Sequence, residues 1–241
     1  MSPETSTPRR TVTAAVVQAS APLFDTPTAL ARAEELIREA AGRGAEVVVL
    51  PEAFLGGYPK GLDFDVTVGS RTPAGRDLFR RYHAAAVEVP GPEVEALAAL
   101  TRELGCHAVV GAVERRGGTL YCVALFFGPG GYLGLHRKLM PTAAERYVWG
   151  QGDGSTLPVV DTGQGDEPDT VLIGGGSVIV SPLGEVLAGP LRDGEGILTA
   201  ELDLDDLARA RFDLDVTGHY ARPDVFTLHV DASARTAVTT S

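Results

Sequence analysis

The run Val47-Val48-Val49-Leu50 ends directly on Pro51-Glu52. Four consecutive aliphatic residues without polar alternation mark a strand covered on both faces, inside a sheet rather than at its edge. Upstream, Thr11 to Ala19 is rich in Val and Thr and reads as a first strand. Between the two, Thr26 is an N-cap candidate with Pro27 at the first helical position. Leu30, Ala33, Ile37 and Ala40 recur at helical spacing, and Gly42 and Gly44 end the helix. The chain therefore opens β-α-β. Glu52 stands at the carboxyl end of the second strand, where open α/β sheets place their ligand sites.

The segment from Leu55 to Glu88 reads as mostly loop, with a short helix around Gly75 to Tyr82. Pro92 to Leu104 is a second helix with Val94, Leu97, Leu100 and Leu104 on one face, ended by Gly105. A meander follows: His107 to Val113, a turn at Arg115 to Gly118, Leu120 to Phe127, a turn at Gly128 to Gly131, then Tyr132 to His136 leading into Lys138. A helical turn is expected at Ala143 to Val148 and a short strand at Leu157 to Val160. Gly163 to Asp169 reads as a loop. Ser177 to Val180 and Glu185 to Ala188 form a hairpin around Ser181-Pro182-Leu183-Gly184. Ile197 to Leu202 is a strand, and Asp205 caps a short helix through Phe212. Strands and helices mix without strict alternation, which predicts layered α/β or α+β architecture rather than a Rossmann sheet. Residues 1–10 and 231–241 read as flexible tails on one domain spanning 11–230.

Composition removes several classes of function. The 241 residues carry a net charge of -11, which argues against nucleic acid, whose phosphates need a basic face. No apolar stretch approaches the ~18 residues of a membrane span, and the polar N-terminus lacks a signal peptide's apolar region. A cytoplasmic protein is expected. Cys106 and Cys122 form no disulfide framework, and neither the cysteines nor the five histidines have metal-ligand spacing. No metal site is expected from them.

Three ionisable residues stand out. Glu52 is placed for general-base work if a nucleophile lies nearby, or it is a loop acid capping a helix or facing solvent. Lys138, in His136-Arg137-Lys138, suits stabilisation of an anionic intermediate, or it belongs to a solvated basic turn. Glu145 lies near enough in sequence to approach Lys138, or it pairs with Arg146 at the surface.

Together with their neighbours these residues carry a resemblance. Pro51-Glu52-Ala53-Phe54 with Gly57-Tyr58-Pro59, Leu120-Tyr121-Cys122, His136 through Thr142, Glu145-Arg146 and Trp149-Gly150-Gln151-Gly152 resemble, in order and spacing, the nitrilase branch of the carbon–nitrogen hydrolase superfamily. Gly175 to Val180, Pro182 to Glu185 and Gly218 to Phe226 continue it. The resemblance implies an α-β-β-α sandwich that assembles as a homo-oligomer. It implies a cysteine thiolate that attacks a nitrile carbon to give a covalent thioimidate. Glu52 would be the general base, Lys138 would stabilise the intermediate, Glu145 would assist as a second acid, and Tyr58 would line the pocket. Water would release ammonia and a carboxylic acid, without metal or cofactor.

One departure is serious. The resemblance calls for a strand delivering Cys-Trp-Glu soon after Leu157 to Asp161. Here Asp161-Thr162 runs directly into Gly163-Gln164-Gly165-Asp166-Glu167. A block of at least two strands and two helices is missing near 162/163, so the sandwich is expected to be incomplete. Cys122 lies within a predicted strand, as small buried thiols do. Cys106 follows a helix stop. Neither has the electropositive, partly exposed setting of a reactive thiol. The expectation is a nitrilase-type chain that lacks its nucleophile and is inactive alone. The competing readings are a non-catalytic oligomer-forming relative and a truncated gene product.

Overall fold

The computed structural model describes residues 11–158, 176–192, 194–213, 225, 227 and 229–234. Strand β1 (Thr11–Gln18), helix α1 (Thr26–Gly42) and strand β2 (Val47–Val49) form the expected opening. The cap of α1 lies one residue earlier than the sequence reading placed it. The Asp25 carboxylate accepts from Thr28 N, while the Thr26 hydroxyl donates to the Ala85 carbonyl.

The segment read as mostly loop holds more structure than expected. A two-strand ribbon, β3 (Val66–Thr67) and β4 (Ser70–Arg71), precedes helix α2 (Pro73–Ala85), which is longer than its sequence reading at both ends. Thr72 caps α2 by accepting from Gly75 N. Helix α3 (Pro92–Leu104) ends as expected at Gly105, whose φ of 66° is the left-handed conformation a helix C-terminus favours in glycine.

The meander comprises β5 (His107–Arg116), β6 (Thr119–Gly128) and β7 (Gly131–Arg137). Its turns are tighter than predicted, Gly117-Gly118 and Pro129-Gly130, because the strands run through Arg116 and Gly128. Strands β8 (Ser177–Val180) and β9 (Val186–Leu191) form the later hairpin, followed by β10 (Gly196–Asp203) and α4 (Asp205–Asp213). Asp205 lies inside α4 rather than capping it, and its N–H is taken by the Asp203 carboxylate at 3.0 Å. Leu157 and Pro158 are not in a strand, and the rest of that expected element lies outside the described residues. So do the Gly163 to Asp169 loop, the first tail and most of the second, and nearly all of 218–226.

Six strands make one sheet in the order β10-β1-β2-β5-β6-β7. The β1, β2 and β5 neighbours are parallel, and the remaining pairs are antiparallel. The β8-β9 hairpin packs against β1 and β10, with Gln18 Oε1 accepting from the Ser177 hydroxyl at 2.8 Å. This is a mixed α/β fold with a central sheet.

The two faces of the sheet are unequal. Ala15, Val48, Ala108 and Phe127 lie opposite one another across four strands, at most 1% exposed, in the core cluster that includes the buried sides of α1 and α3. The adjacent row, Val49, Val109 and Phe126, points to the other face and is only half-buried. The aliphatic run at β2 is thus fully covered on one face, not on both as its composition predicts. At the far end of β5 and β6 this second face is closed by a separate cluster, in which Tyr82 of α2 and Trp149 pack on Val113, Leu120 and Cys122.

Candidate active site

Glu52 is aimed by a kink in the chain. Gly111 of β5 permits the approach, since any Cβ there would collide with the Pro51 carbonyl oxygen. Ala53 holds a φ of 51°, uncommon for a residue with a side chain. Leu55 then returns to the sheet, donating its N–H to the Gly111 carbonyl at 3.1 Å and accepting from Val113 N at 2.8 Å. Glu52 is held between these two attachments.

Lys138 leaves the end of β7 but remains tied to β6, its N–H donating to the Cys122 carbonyl at 2.8 Å. Side chains alternate along a strand, so Arg137 and Lys138 point to opposite faces. Glu145 lies in a 3₁₀ turn, Ala143–Tyr147, at the helical turn read from the sequence. Tyr58 follows the Glu52 kink.

These four residues meet. The Lys138 ammonium donates to Glu52 Oε1 at 2.9 Å and to Glu145 Oε2 at 3.0 Å. Tyr58 OH donates to Glu145 Oε1 at 2.9 Å. Glu145 Oε2 also accepts from Thr142 N at 2.6 Å and from the Thr142 hydroxyl at 3.0 Å. Arg146, the alternative partner for Glu145, instead donates to the Pro141 carbonyl at 2.9 Å.

The two carboxylates are not equivalent. Both oxygens of Glu145 are occupied, and its side chain is 11% exposed. Desolvation pushes its pKa up, but the hydrogen bonds from Thr142, Lys138 and Tyr58 prevail and hold it below the usual carboxylate value. Glu52 is 38% exposed and takes both its donors on Oε1, while Oε2 has no partner among the described residues. Spare acceptor capacity lies with Glu52. Desolvation works against the Lys138 charge, yet its hydrogen bonds to Glu52 and Glu145 outweigh that and raise its pKa, so it is a cation at neutral pH.

The second donor to Glu52 Oε1 is the Cys122 thiol, at 3.3 Å. The sequence placed Cys122 inside a strand as a small buried side chain. The structure buries it, 3% exposed, but points it at the site. Burial first, then the charge of Glu52 and its hydrogen bond, push the thiol pKa far up. Cys106 is buried elsewhere, in the core beneath the helices.

Two further residues support the array. Trp149 Nε1 donates to Tyr82 OH at 3.2 Å, and Tyr82 OH donates to the Gly57 carbonyl at 3.0 Å. Trp149 packs edge-on against Tyr58, ring centres 5.7 Å apart, and the Lys138 ammonium sits 5.7 Å over the indole. Trp149 falls in a recognisable motif, but Tyr82 gave no sequence signal beyond its place on a helix.

Comparison with known proteins gives the family. The carbon-nitrogen hydrolase family model matches residues 13–169 and again 163–212. An aliphatic nitrilase of Sinorhizobium fredii (strain HH103) is 44% identical over 301 residues, covering 94% of this chain and 98% of the relative. Nitrilase 3 of Arabidopsis thaliana is 41% identical over 312 residues, covering 96% and 90%. The solved structure of Saccharomyces cerevisiae Nit3, a member of branch 10 of the nitrilase superfamily, superposes with a TM-score of 0.64 at 18% identity, covering 88% of this chain and 97% of that one. That likeness concerns the fold. The chain belongs to the carbon–nitrogen hydrolase family and, within it, to the nitrilase branch.

The same comparisons carry a discrepancy in length. An aligned span of 301 residues against a chain of 241 leaves at least 60 positions of the Sinorhizobium protein without a counterpart here. The two family matches meet and overlap at 163–169.

Proposed function

We propose that this chain is a nitrilase-type hydrolase domain over 11–230, interrupted near 162/163, that retains the base and the ammonium but has no working nucleophile. Its ligand is a small nitrile, and alone it does not turn that ligand over. One observation carries the reading: the only thiol at the site, Cys122, donates to the carboxylate that would have to activate it, from a buried position and with a raised pKa. A nucleophilic thiol needs the opposite environment. Glu52, whose Oε2 has no partner among the described residues, is the general base. Lys138 is the electrostatic stabiliser. Glu145, saturated with donors, orients Lys138 and serves as the second acid only if that network opens. Tyr58 borders the site on the Glu145 side. The length discrepancy and the broken family match support an internal loss rather than a remodelled site.

Ammonia release from a panel of aliphatic and aromatic nitriles tests this, with Cys106→Ala and Cys122→Ala alongside. No turnover above background is expected, since losing the nucleophile of a catalytic set commonly costs ~10⁶ in rate. Turnover that vanishes in one cysteine variant would name a substitute nucleophile and overturn the reading. Turnover that survives both but is lost in Glu52→Gln would indicate direct attack by water. Sequencing the coding DNA for a Cys-Trp-Glu segment between Thr162 and Gly163 separates a natural loss from a truncated gene product.

A further inference from the structure

We infer that Tyr82, on a helix outside the catalytic set, is a positioning residue that sets the geometry of Lys138 through Trp149 and Tyr58. The inference rests on the reading of Glu52, Lys138 and Glu145 as one site.

The path is continuous and buried at its origin. Tyr82 is 0% exposed and Trp149 is 3% exposed. The single Tyr82 hydroxyl has two jobs: it accepts from Trp149 Nε1 and donates to the Gly57 carbonyl. It thereby ties the indole to the residue immediately before Tyr58. The indole in turn supports two members of the array, Tyr58 edge-on and Lys138 over its face. Tyr58 then holds Glu145 Oε1, and Glu145 Oε2 holds Lys138. Phe24 and Phe64 pack against the Tyr82 ring, so the ring is fixed by packing and its hydroxyl has a set direction.

Removing the hydroxyl leaves a buried indole N–H and a carbonyl without their partner. Such groups carry a desolvation penalty, and the segments bearing them shift to find other partners. Here those segments carry Trp149 and Tyr58. The expected consequence is a looser Glu145–Lys138 contact and a lower Lys138 pKa.

Tyr82→Phe is the test, because it keeps the ring and removes only the oxygen. The chain offers two specific readouts. It has one tryptophan, so intrinsic indole fluorescence reports on Trp149 alone. It has two lysines, Lys60 and Lys138, so the exposed Lys60 serves as an internal standard in amine acylation followed by mass spectrometry. In Tyr82→Phe, acylation of Lys138 relative to Lys60 at neutral pH should rise about tenfold for each unit by which its pKa falls, and the Trp149 emission maximum should move. Trp149→Phe removes the same hydrogen bond from the other side and should raise Lys138 acylation likewise, which covers the case of an unstable Tyr82 variant. A lower thermal midpoint with Lys138 acylation within twofold of wild type and unchanged emission would overturn the inference and leave Tyr82 a structural residue. Glu145→Gln separates the two levels of argument. If it too leaves Lys138 acylation unchanged, the Glu145–Lys138 pairing itself is wrong, and the site reading fails with it.

Discussion

Arg137 and Glu114 form a bidentate ion pair, Nε to Oε2 at 2.5 Å and Nη2 to Oε1 at 2.6 Å, across the intervening strand β6. Glu114 is 1% exposed and Arg137 8%. The guanidinium also lies 5.1 Å over the ring of Tyr121, the β6 residue directly opposite Glu114. The pair therefore clamps β5, β6 and β7 together one residue before Lys138 leaves the sheet. Removing one partner strands a buried charge, which typically costs ~3–5 kcal/mol, whereas replacing both with apolar side chains of similar size is often neutral or better. Glu114→Ala should lower the urea midpoint strongly, and Glu114→Leu with Arg137→Met should recover most of that loss. A single variant as stable as wild type would show that the pair is solvated in solution.

Protonation should reveal the ion pair inside the site. Glu145 is depressed in the fold, so its contribution is complete above the unfolded value of about 4.3 and is lost as pH falls through the lower folded value. Lys138 is raised, so its contribution is complete below the unfolded value of about 10.4 and is lost as pH rises through the higher folded value. Both terms are present between about pH 5 and pH 10. The difference in unfolding free energy between wild type and Glu145→Gln should thus be level around neutrality and shrink below about pH 4. A difference independent of pH down to pH 2 would show that Glu145 acts only through packing.

The Cys122 thiol should respond to the charge of Glu52. Burial, then the Glu52 charge and its hydrogen bond, raise the thiol pKa. Glu52→Gln removes the charge and leaves the burial. The midpoint of Cys122 alkylation against pH, read by mass spectrometry, should move down in Glu52→Gln, while that of Cys106, raised chiefly by burial, stays in place. Equal profiles in the two proteins would show that the thiol does not face Glu52.

Much of this arrangement is legible in the sequence, and the part that is not has a common cause. Glu52 and Lys138 announce themselves because each follows a strand whose pattern is local: an aliphatic run before one, a glycine-bounded meander before the other. Helix α3 is equally plain, with Val94, Leu97 and Leu100 on one face and Gly105 at its end. Helix α2 is not, because exposed arginines such as Arg76, Arg80 and Arg81 break up its apolar pattern and, of its large side chains, only Tyr82 is buried. The hydrogen bonds of Tyr82, the Arg137–Glu114 clamp and the Cys122–Glu52 contact join residues 23 to 70 positions apart by strand register and helix placement, which no local pattern encodes. The half-bare face of β2 has the same character, since composition reports that a strand is apolar and not how much lies against it.

That face yields the last expectation. Val49, Val109 and Phe126 are half-buried in the middle of a sheet whose other side is closed by helices. Strand β7 lies at the sheet's end with Tyr132 37% and Leu133 40% exposed, and the hairpin β8-β9 adds Leu183 and Val186, each more than half exposed. Exposed apolar side chains and the end strand of a sheet both favour association. The purified chain should bind a hydrophobic dye, associate with rising concentration and melt over a broad range. Leu133→Lys places a charge on the edge strand and should reduce association without touching the site. If residues of the Sinorhizobium relative that have no counterpart here cover the second face, inserting them between Thr162 and Gly163 should sharpen the transition and abolish dye binding. A soluble monomer with a sharp, high midpoint and no dye binding would show instead that this chain closes its second face by itself.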